Sequence, residues 1–457
     1  MNQTSDPAEG REVLASFISE NSITEVECLV PDLSGIARGK ILPADRFLRA
    51  LDRRGLRLPE SIFMQTVTGD EPEGEGLADP AVIDVYMVPD PKTIRLVPWY
   101  EEPTAQVICD CTYADGMPVP FSSRQVLRRV VDEYDAAGLC PVVAPELEFF
   151  LVKVNPDPDY PLEPPIGRNG RAETARQAYG IDAVNEFDPI FEDVYDYCDA
   201  MGIDIDTLSH ETGAAQIEIN FEHGDPITQA DHVLLFKRTV RQAALRHNVY
   251  ATFMAKPMQW EPGSAMHLHQ SVVDRVSGHN LFANTDGSDS QLFHHFIGGL
   301  QRYVPRAMAL FAPNVNSYRR LRPDSDAPIN THWGVDNRTT SFRVPVSTPD
   351  ARRVENRVAG ADANPYLMTA GSLACGLLGI QKQIEPMAPI EGSAKRLAFN
   401  LPRHIYDSLD RLRDCQELRD LLGERFVEVV WHVKQLEFDE YQKVISSWER
   451  ENLLLNV

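Results

Sequence analysis

Residues 142–152 read VVAPELEFFLV, and the placement of two glutamates in this apolar run decides the fold. In an extended chain, residues i and i+2 point to the same face. Glu146 and Glu148 therefore stand side by side on a strand that is otherwise built for an interior. Like charges repel there, and each has lost its water. Such a strand is tolerable only where positive charge compensates it.

Outward from this strand the chain changes style. On its N-terminal side, residues 8–20 have the period of a short amphipathic helix. Residues 24–43 read as two strands around a turn marked by Asp32 and Gly35. Residues 68–80 form a Gly/Pro/acidic loop, and AVIDVYMVPD and KTIRLVPW read as strands. Past residue 117 a helix starts at Ser122 or Ser123 and runs to Gly138. Strands then alternate with longer helices, at 188–201 and 227–247, around a loop at 155–170. The stretch 403–450 is helical and charged. This irregular order predicts an α+β fold, with a β-rich domain over 1–117 and a larger one over 118–457.

Bulk properties narrow the function. The 457 residues are 43% hydrophobic, as in ordinary globular proteins. No apolar run reaches the roughly 20 residues of a membrane span, and the polar, acidic N-terminus does not read as a signal peptide. The expected compartment is the cytoplasm. A formal charge of −24 disfavours nucleic acid or an anionic membrane as partner. Seven cysteines without a CxxC pair read as reduced thiols, with Cys109 and Cys111 packed on one face of a strand.

Other segments also concentrate ionisable side chains. HETGAAQIEIN carries Glu211 and Glu218, whose spacing gives opposite faces unless Gly213 permits a turn or bulge. GSAMHLHQS places His267, His269 and Ser271 on one face, and RRVENR does the same for Arg353, Glu355 and Arg357. Arg320, Arg338 and Arg343 lie between them. Singly, each pattern is commonly a solvated face or an ion-pair ladder. Together they supply carboxylates and imidazole for Mg²⁺ or Mn²⁺, and guanidinium forks for phosphate. That combination points to phosphoryl transfer from a nucleotide.

PELEFF, ExGxxQxE, MHLHQS, NSYRRL, NRTTSFRVP, RRVENR and ANPYL, in this order, resemble glutamine synthetases over nearly the whole chain, as does the closing WERENLLLNV. The resemblance implies an N-terminal β-grasp-like domain and a catalytic domain with a curved antiparallel sheet and surrounding helices. It implies active sites between subunits of a hexameric ring or dodecamer, two or more Mg²⁺ or Mn²⁺ ions per site, and ATP-dependent phosphorylation of the glutamate γ-carboxylate. It puts Glu148, Glu211 and Glu218 on one metal and Glu146, His267 and Glu355 on a second. His269, Ser271, Arg343 and Arg353 fall on the nucleotide side, and Arg320, Arg357 and Gly263 on the glutamate side. Arg338 matches the arginine that stabilises the transferring phosphoryl group. Asp32 matches an aspartate that holds ammonium in a neighbouring subunit's site, and Asp326 the acid of the flap.

The departures gather on the nitrogen side. Where ammonia-using members carry GYEAP, this chain has PDSDAP (323–328), with Ser325 for the tyrosine and Asp326 for the glutamate. NGSGMH becomes PGSAMH, and RVAGADANPYL is similar to the γ-glutamylpolyamine and γ-glutamylamide synthetase branch. Pro402 stands where the family's adenylylated tyrosine lies, so that form of control is not expected. The expected activity is ligation of glutamate to an organic amine through γ-glutamyl phosphate. An ammonia-using glutamine synthetase and a non-catalytic assembly protein are the alternative readings. The amine's identity stays open at this level.

Overall fold

The structure, a computed structural model, describes residues 7–72, 83–174 and 176–457. The expected 68–80 loop lies outside the described residues from 73 onward, as do the first two residues of AVIDVYMVPD. The helix at Pro7–Glu20 precedes a sheet of six strands: β1 (Glu25–Pro31), β2 (Ala37–Pro43), β3 (Arg57–Pro59), β4 (Asp84–Pro89), β5 (Arg95–Leu96) and β6 (Thr104–Thr112). Their order is β2-β1-β6-β4-β3, with β5 on β6, and β1 runs parallel to β6. KTIRLVPW gives only the two residues of β5, because Asp90 caps the backbone N–H of Lys92 and winds Pro91–Thr93 into a 3₁₀ turn.

A second sheet holds the remaining strands: β7 (Leu139–Lys153), β8 (Ile205–His210), β9 (Gln216–Phe221), β10 (Val249–Thr252), β11 (Met266–Asp274), β12 (Trp333–Val335), β13 (Phe342–Val344) and β14 (Val354–Asn356). It is curved and runs β12-β13-β14-β11-β7-β9-β8, antiparallel apart from β12 and β13, with β10 on β7. VVAPELEFFLV is thus the central strand. Leu147, Phe149 and Leu151 on its other face are fully buried, and Phe149 meets Phe236 of the helix Pro226–Arg246 edge-on at 6.4 Å. The face with Glu146 and Glu148 continues into a separate small apolar cluster of Phe150, Val152 and Met258. The period-2 alternation therefore separates a helix-packed side from a chemical side.

The helix Ser123–Ala136 joins the two sheets. Ser122 is its N-cap residue but makes no capping bond, and Ser123 Oγ instead donates to the carbonyl of Asp32. Arg124, only 2% exposed, donates to Asp90, Asp110 and Asp231, so one guanidinium ties the first sheet to the helix 226–246. A buried ion left without its partners costs several kcal/mol, and here every fork is filled. The helix Pro365–Lys382 is buried along nearly its whole length, capped by Asn364. All seven cysteines are free, and Cys109 and Cys111 are buried in β6.

Candidate active site

Register builds the site. In β7, Glu146 lies opposite His267 of β11, and Glu148 opposite Glu218 of β9. His269 lies opposite Glu355 of β14, which in turn lies opposite Arg343 of β13. Directly opposed residues share a face, so five strands turn their ionisable side chains to one side.

Glu211 joins them through a hairpin, not through one long strand. β8 ends at His210, the chain turns over Glu211–Ala215, and the Glu211 N–H donates back to the Gln216 carbonyl. The left-handed residue of that turn is Ala215 (φ 56°), not Gly213. Gly213 is needed for space, since a Cβ there would stand 2.6 Å from the Phe150 ring.

Two ligand sets result. Glu146, His267 and Glu355 form one and Glu148, Glu211 and Glu218 the other, each with candidate ligand atoms within 4.8 Å of one another. Their electrostatics differ. Burial pushes the Glu148 carboxyl up to about 8, helped by the charge of Glu211. Burial and then Glu146 push Glu218 up to about 10. Burial also raises Glu146, but His267 and His269 reverse this and hold it well below its ordinary range. His267 Nδ1–H donates to Glu146 Oε1 at 2.7 Å, and His269 Nε2–H to Oε2 at 3.3 Å. Arg353 Nε donates to His269 Nδ1 at 3.2 Å and so fixes that tautomer. Burial, then Arg357, lowers His267, and Glu146 and Glu355 oppose this. Glu355 is held down to about 2: burial opposes this, and Arg357 and His267 outweigh it. Arg343 Nη1 and Arg357 Nη1 both donate to its carboxylate.

Carboxylates crowded until two of them resist ionisation, with oxygens left free, are the donor set of a hard divalent cation. Glu148 shows this directly. Its Oε2 accepts from the Ala265 N–H at 2.8 Å and Gln216 Nε2 at 3.1 Å, and neither donor uses Oε1. The residues present fit metal ions.

Two cavities flank the sets. The first is lined by Glu146, Glu148, Glu211, Glu218, His267, Gly263, Arg320, Arg338, Arg357 and Asp326. The second is lined by Glu146, His269, Ser271 and Arg353, with Asn220 and Phe221. Among the described residues, Glu146 alone lines both. The structure thus gathers the sequence-expected residues around one centre. Arg343 reaches it through Glu355. Arg320 is buried and donates to the carbonyls of Val358 and Arg357, and a Cβ at Gly263 would strike its Cγ at 2.6 Å.

Asp32 lies apart from this centre and lines neither cavity. It is 1% exposed, one oxygen accepts the N–H groups of Ser34 and Ile36, and the other pairs with Arg38 at 2.8 Å. Its carboxylate thus serves its own turn within this chain, apart from the two ligand sets. Asp326 does line the cavity, but it is 76% exposed and paired with Lys395 at 2.7 Å.

Four supporting residues went unread in the sequence. Gln216 stands inside ExGxxQxE, where the motif itself was the available signal. Buried His210 donates through Nδ1 to the Glu211 carbonyl and faces Glu173 through Nε2 at 3.1 Å, a partner 37 residues away that no local pattern announces. Tyr179 lines the first cavity with φ 61°, a strained value for an aromatic residue.

Residues 120–453 match the family described as glutamine synthetase, catalytic domain. The chain is 35% identical over 436 residues to γ-glutamylputrescine synthetase of Escherichia coli (strain K12), covering 94% of this chain and 92% of that protein. It is 32% identical over 446 residues to glutamate–isopropylamine ligase of a Pseudomonas species, covering 95% of each. Among solved structures it resembles apo GmaS, with a TM-score of 0.83 and 27% identity over 97% of this chain and 99% of that one. With the fold, the ligand sets and these relatives in agreement, the chain belongs to the glutamine synthetase family.

Proposed function

We propose that this protein is an ATP-dependent ligase that joins the γ-carboxylate of glutamate to an organic amine through γ-glutamyl phosphate. The observation that carries this is the 323–328 segment beside a complete set of acidic ligands. Ser325 Oγ turns onto the carbonyls of Arg320 and Arg322, and Asp326 is drawn out to Lys395. Neither closes the cavity as a tyrosine and a glutamate would, so room is left for more than ammonia. The relatives named for putrescine and isopropylamine support the same reading.

The geometry supports a role for each site residue. Glu148, Glu211 and Glu218 would hold one divalent ion and Glu146, His267 and Glu355 a second. Mg²⁺ and Mn²⁺ both suit these donors, and when bound they neutralise phosphate charge. Arg353, His269 and Ser271 line the second cavity and bind the nucleotide there. Arg343 assists through Glu355. Arg320 and Arg357, fixed by buried partners, orient the glutamate against Gly263, so its γ-carboxylate meets the phosphate near Glu146. Arg338 lines the first cavity and, among the described residues, forms no ion pair there, which leaves its guanidinium for the transferring phosphoryl group. Asp326 stands at the amine's approach. Acyl phosphate formation splits one unfavourable amide synthesis into two feasible steps.

Units of 1–117 and 118–457 and a homo-oligomeric ring, hexamer or dodecamer, belong to the same proposal. No helix among the described residues is long and apolar enough to cross a membrane, and a cytoplasmic, soluble enzyme fits this reading. Phosphate release from ATP and glutamate, with Mg²⁺ or Mn²⁺, tests the activity across a panel of amines. Some organic amine should stimulate it well above ammonia, and ammonia as the best nucleophile would overturn the proposal.

A further inference from the structure

Charge in the first cavity is already accounted for, and this limits what the amine can be. Its lining carboxylates are Glu146, Glu148, Glu211, Glu218 and Asp326. The first four belong to the two ligand sets. Asp326 is therefore the one lining carboxylate outside them among the described residues, and Lys395 already pairs with it at 2.7 Å.

Lys395 is no wandering surface lysine. It is 35% exposed and also lines the cavity. Its neighbour Ala394 is pinned on both sides, its N–H donating to Thr339 Oγ1 at 2.9 Å and its carbonyl accepting from Asn330 Nδ2 at 2.9 Å. Asn337 Nδ2 holds the carbonyl of Gly392 at 2.8 Å. By contrast, the side-chain bonds of Asp324 and Ser325 stay within residues 320–325. The Asp326–Lys395 pair is thus the tether from that segment to a fixed base. Among the described residues the rest of the lining adds no further carboxylate; it holds uncharged side chains such as Ala178, Tyr179, Thr212, Ala327 and Thr339, and the cationic Arg338 next to Thr339 in sequence.

Resting on the ligase reading above, we propose that the amine substrate is a monoamine with an uncharged organic body, and that Lys395 is the residue that sets this specificity. Lys395 supplies, from the protein itself, the ammonium that would otherwise sit on Asp326. A second ammonium on the substrate would meet a wall with no unpaired anion, and an unpaired charge in a partly dry cavity is costly. The uncharged side chains of the wall instead accept alkyl or hydroxylated groups.

The test compares n-butylamine with 1,4-diaminobutane, of equal chain length, as kcat/KM for amine-stimulated phosphate release. The wild type should favour butylamine. Lys395→Gln should free Asp326 and move the ratio toward the diamine by about fivefold, the scale of one partly exposed ion pair. That shift should shrink as salt is raised. Lys395→Arg should keep the wild-type ratio. A wild type that prefers the diamine, or a ratio that Lys395→Gln leaves unmoved, overturns the inference while the ligase reading stands. If no amine stimulates the wild type, the ligase reading falls and takes the inference with it.

Discussion

Glu148 shows how little of a site one side chain controls by itself. Its Oε2 is held by Ala265 and Gln216, and Gln216 is itself held, with Oε1 accepting from the Gly213 N–H and Nε2 also donating to the Gly263 carbonyl. Replacing Gln216 by Ala should leave the ligand but loosen its aim. The expected result is a rise of about 10–100-fold in the Mn²⁺ concentration that gives half-maximal phosphate release, with much of the rate recovered at saturating metal. Glu146→Ala or Glu148→Ala should abolish turnover at any metal concentration. At this scale the sequence was informative about chemistry: alternate spacing alone put Glu146 beside Glu148 and His267 beside His269. It was silent about support, because Gln216 and Glu148 are 68 residues apart and meet only through the pairing of β7 with β9. Asp32 shows the reverse case. A family match named it, whereas the short-range bonds to Ser34, Ile36 and Arg38 make it a turn residue.

Among elements, the β8–β9 hairpin decides whether Glu211 joins its set. A left-handed backbone costs a residue with a Cβ about 1–2 kcal/mol, and Ala215 bears that strain with φ 56°. Ala215→Gly should therefore fall within about 1 kcal/mol of wild type in thermal unfolding, relief of strain offsetting lost chain stiffness. Ala215→Val, β-branched at the same φ, should destabilise clearly and weaken metal dependence with it. The seven-residue spacing of Glu211 and Glu218 made a turn legible in the sequence, and Gly213 does permit it, through the space it leaves beside Phe150, while the left-handed backbone falls on Ala215. A second element-level prediction concerns the helix 226–246. Its Lys237 donates to the carbonyls of Ala361 and Ala363, and burial, then Arg241, lowers its ammonium to about 7. The unfolded chain keeps that proton to its ordinary value near 10.5. Between these two pH values the unfolded state binds more protons, so this group makes stability rise with pH. Melting temperatures measured from pH 7 to 10 should climb in the wild type relative to Lys237→Met.

For the whole molecule, the α+β class and the order of sheets and helices followed from hydrophobic period, because long strands and helices repeat it many times. The β5 region did not, since two residues cannot establish a period. The proposed assembly would need exposed apolar surface. The helix Ser447–Leu453 buries none of its residues, and Trp448, Leu454 and Leu455 near it are 65%, 74% and 91% exposed. Exposed apolar side chains of this kind are where the proposed ring would make contacts between copies. Replacing Trp448 and Leu454 by serine should lower the particle mass seen by light scattering, with little change in the unfolding of each chain. The two cavities, which among the described residues share only Glu146, carry a kinetic consequence. On the proposed assignment, nucleotide and glutamate would each enter by its own cavity, so neither would have to precede the other, and both would be needed before phosphate could transfer. Initial rates against one substrate at several levels of the other should give intersecting lines, the pattern of a random sequential mechanism. Glu146 is then less a ligand among six than the threshold between two rooms.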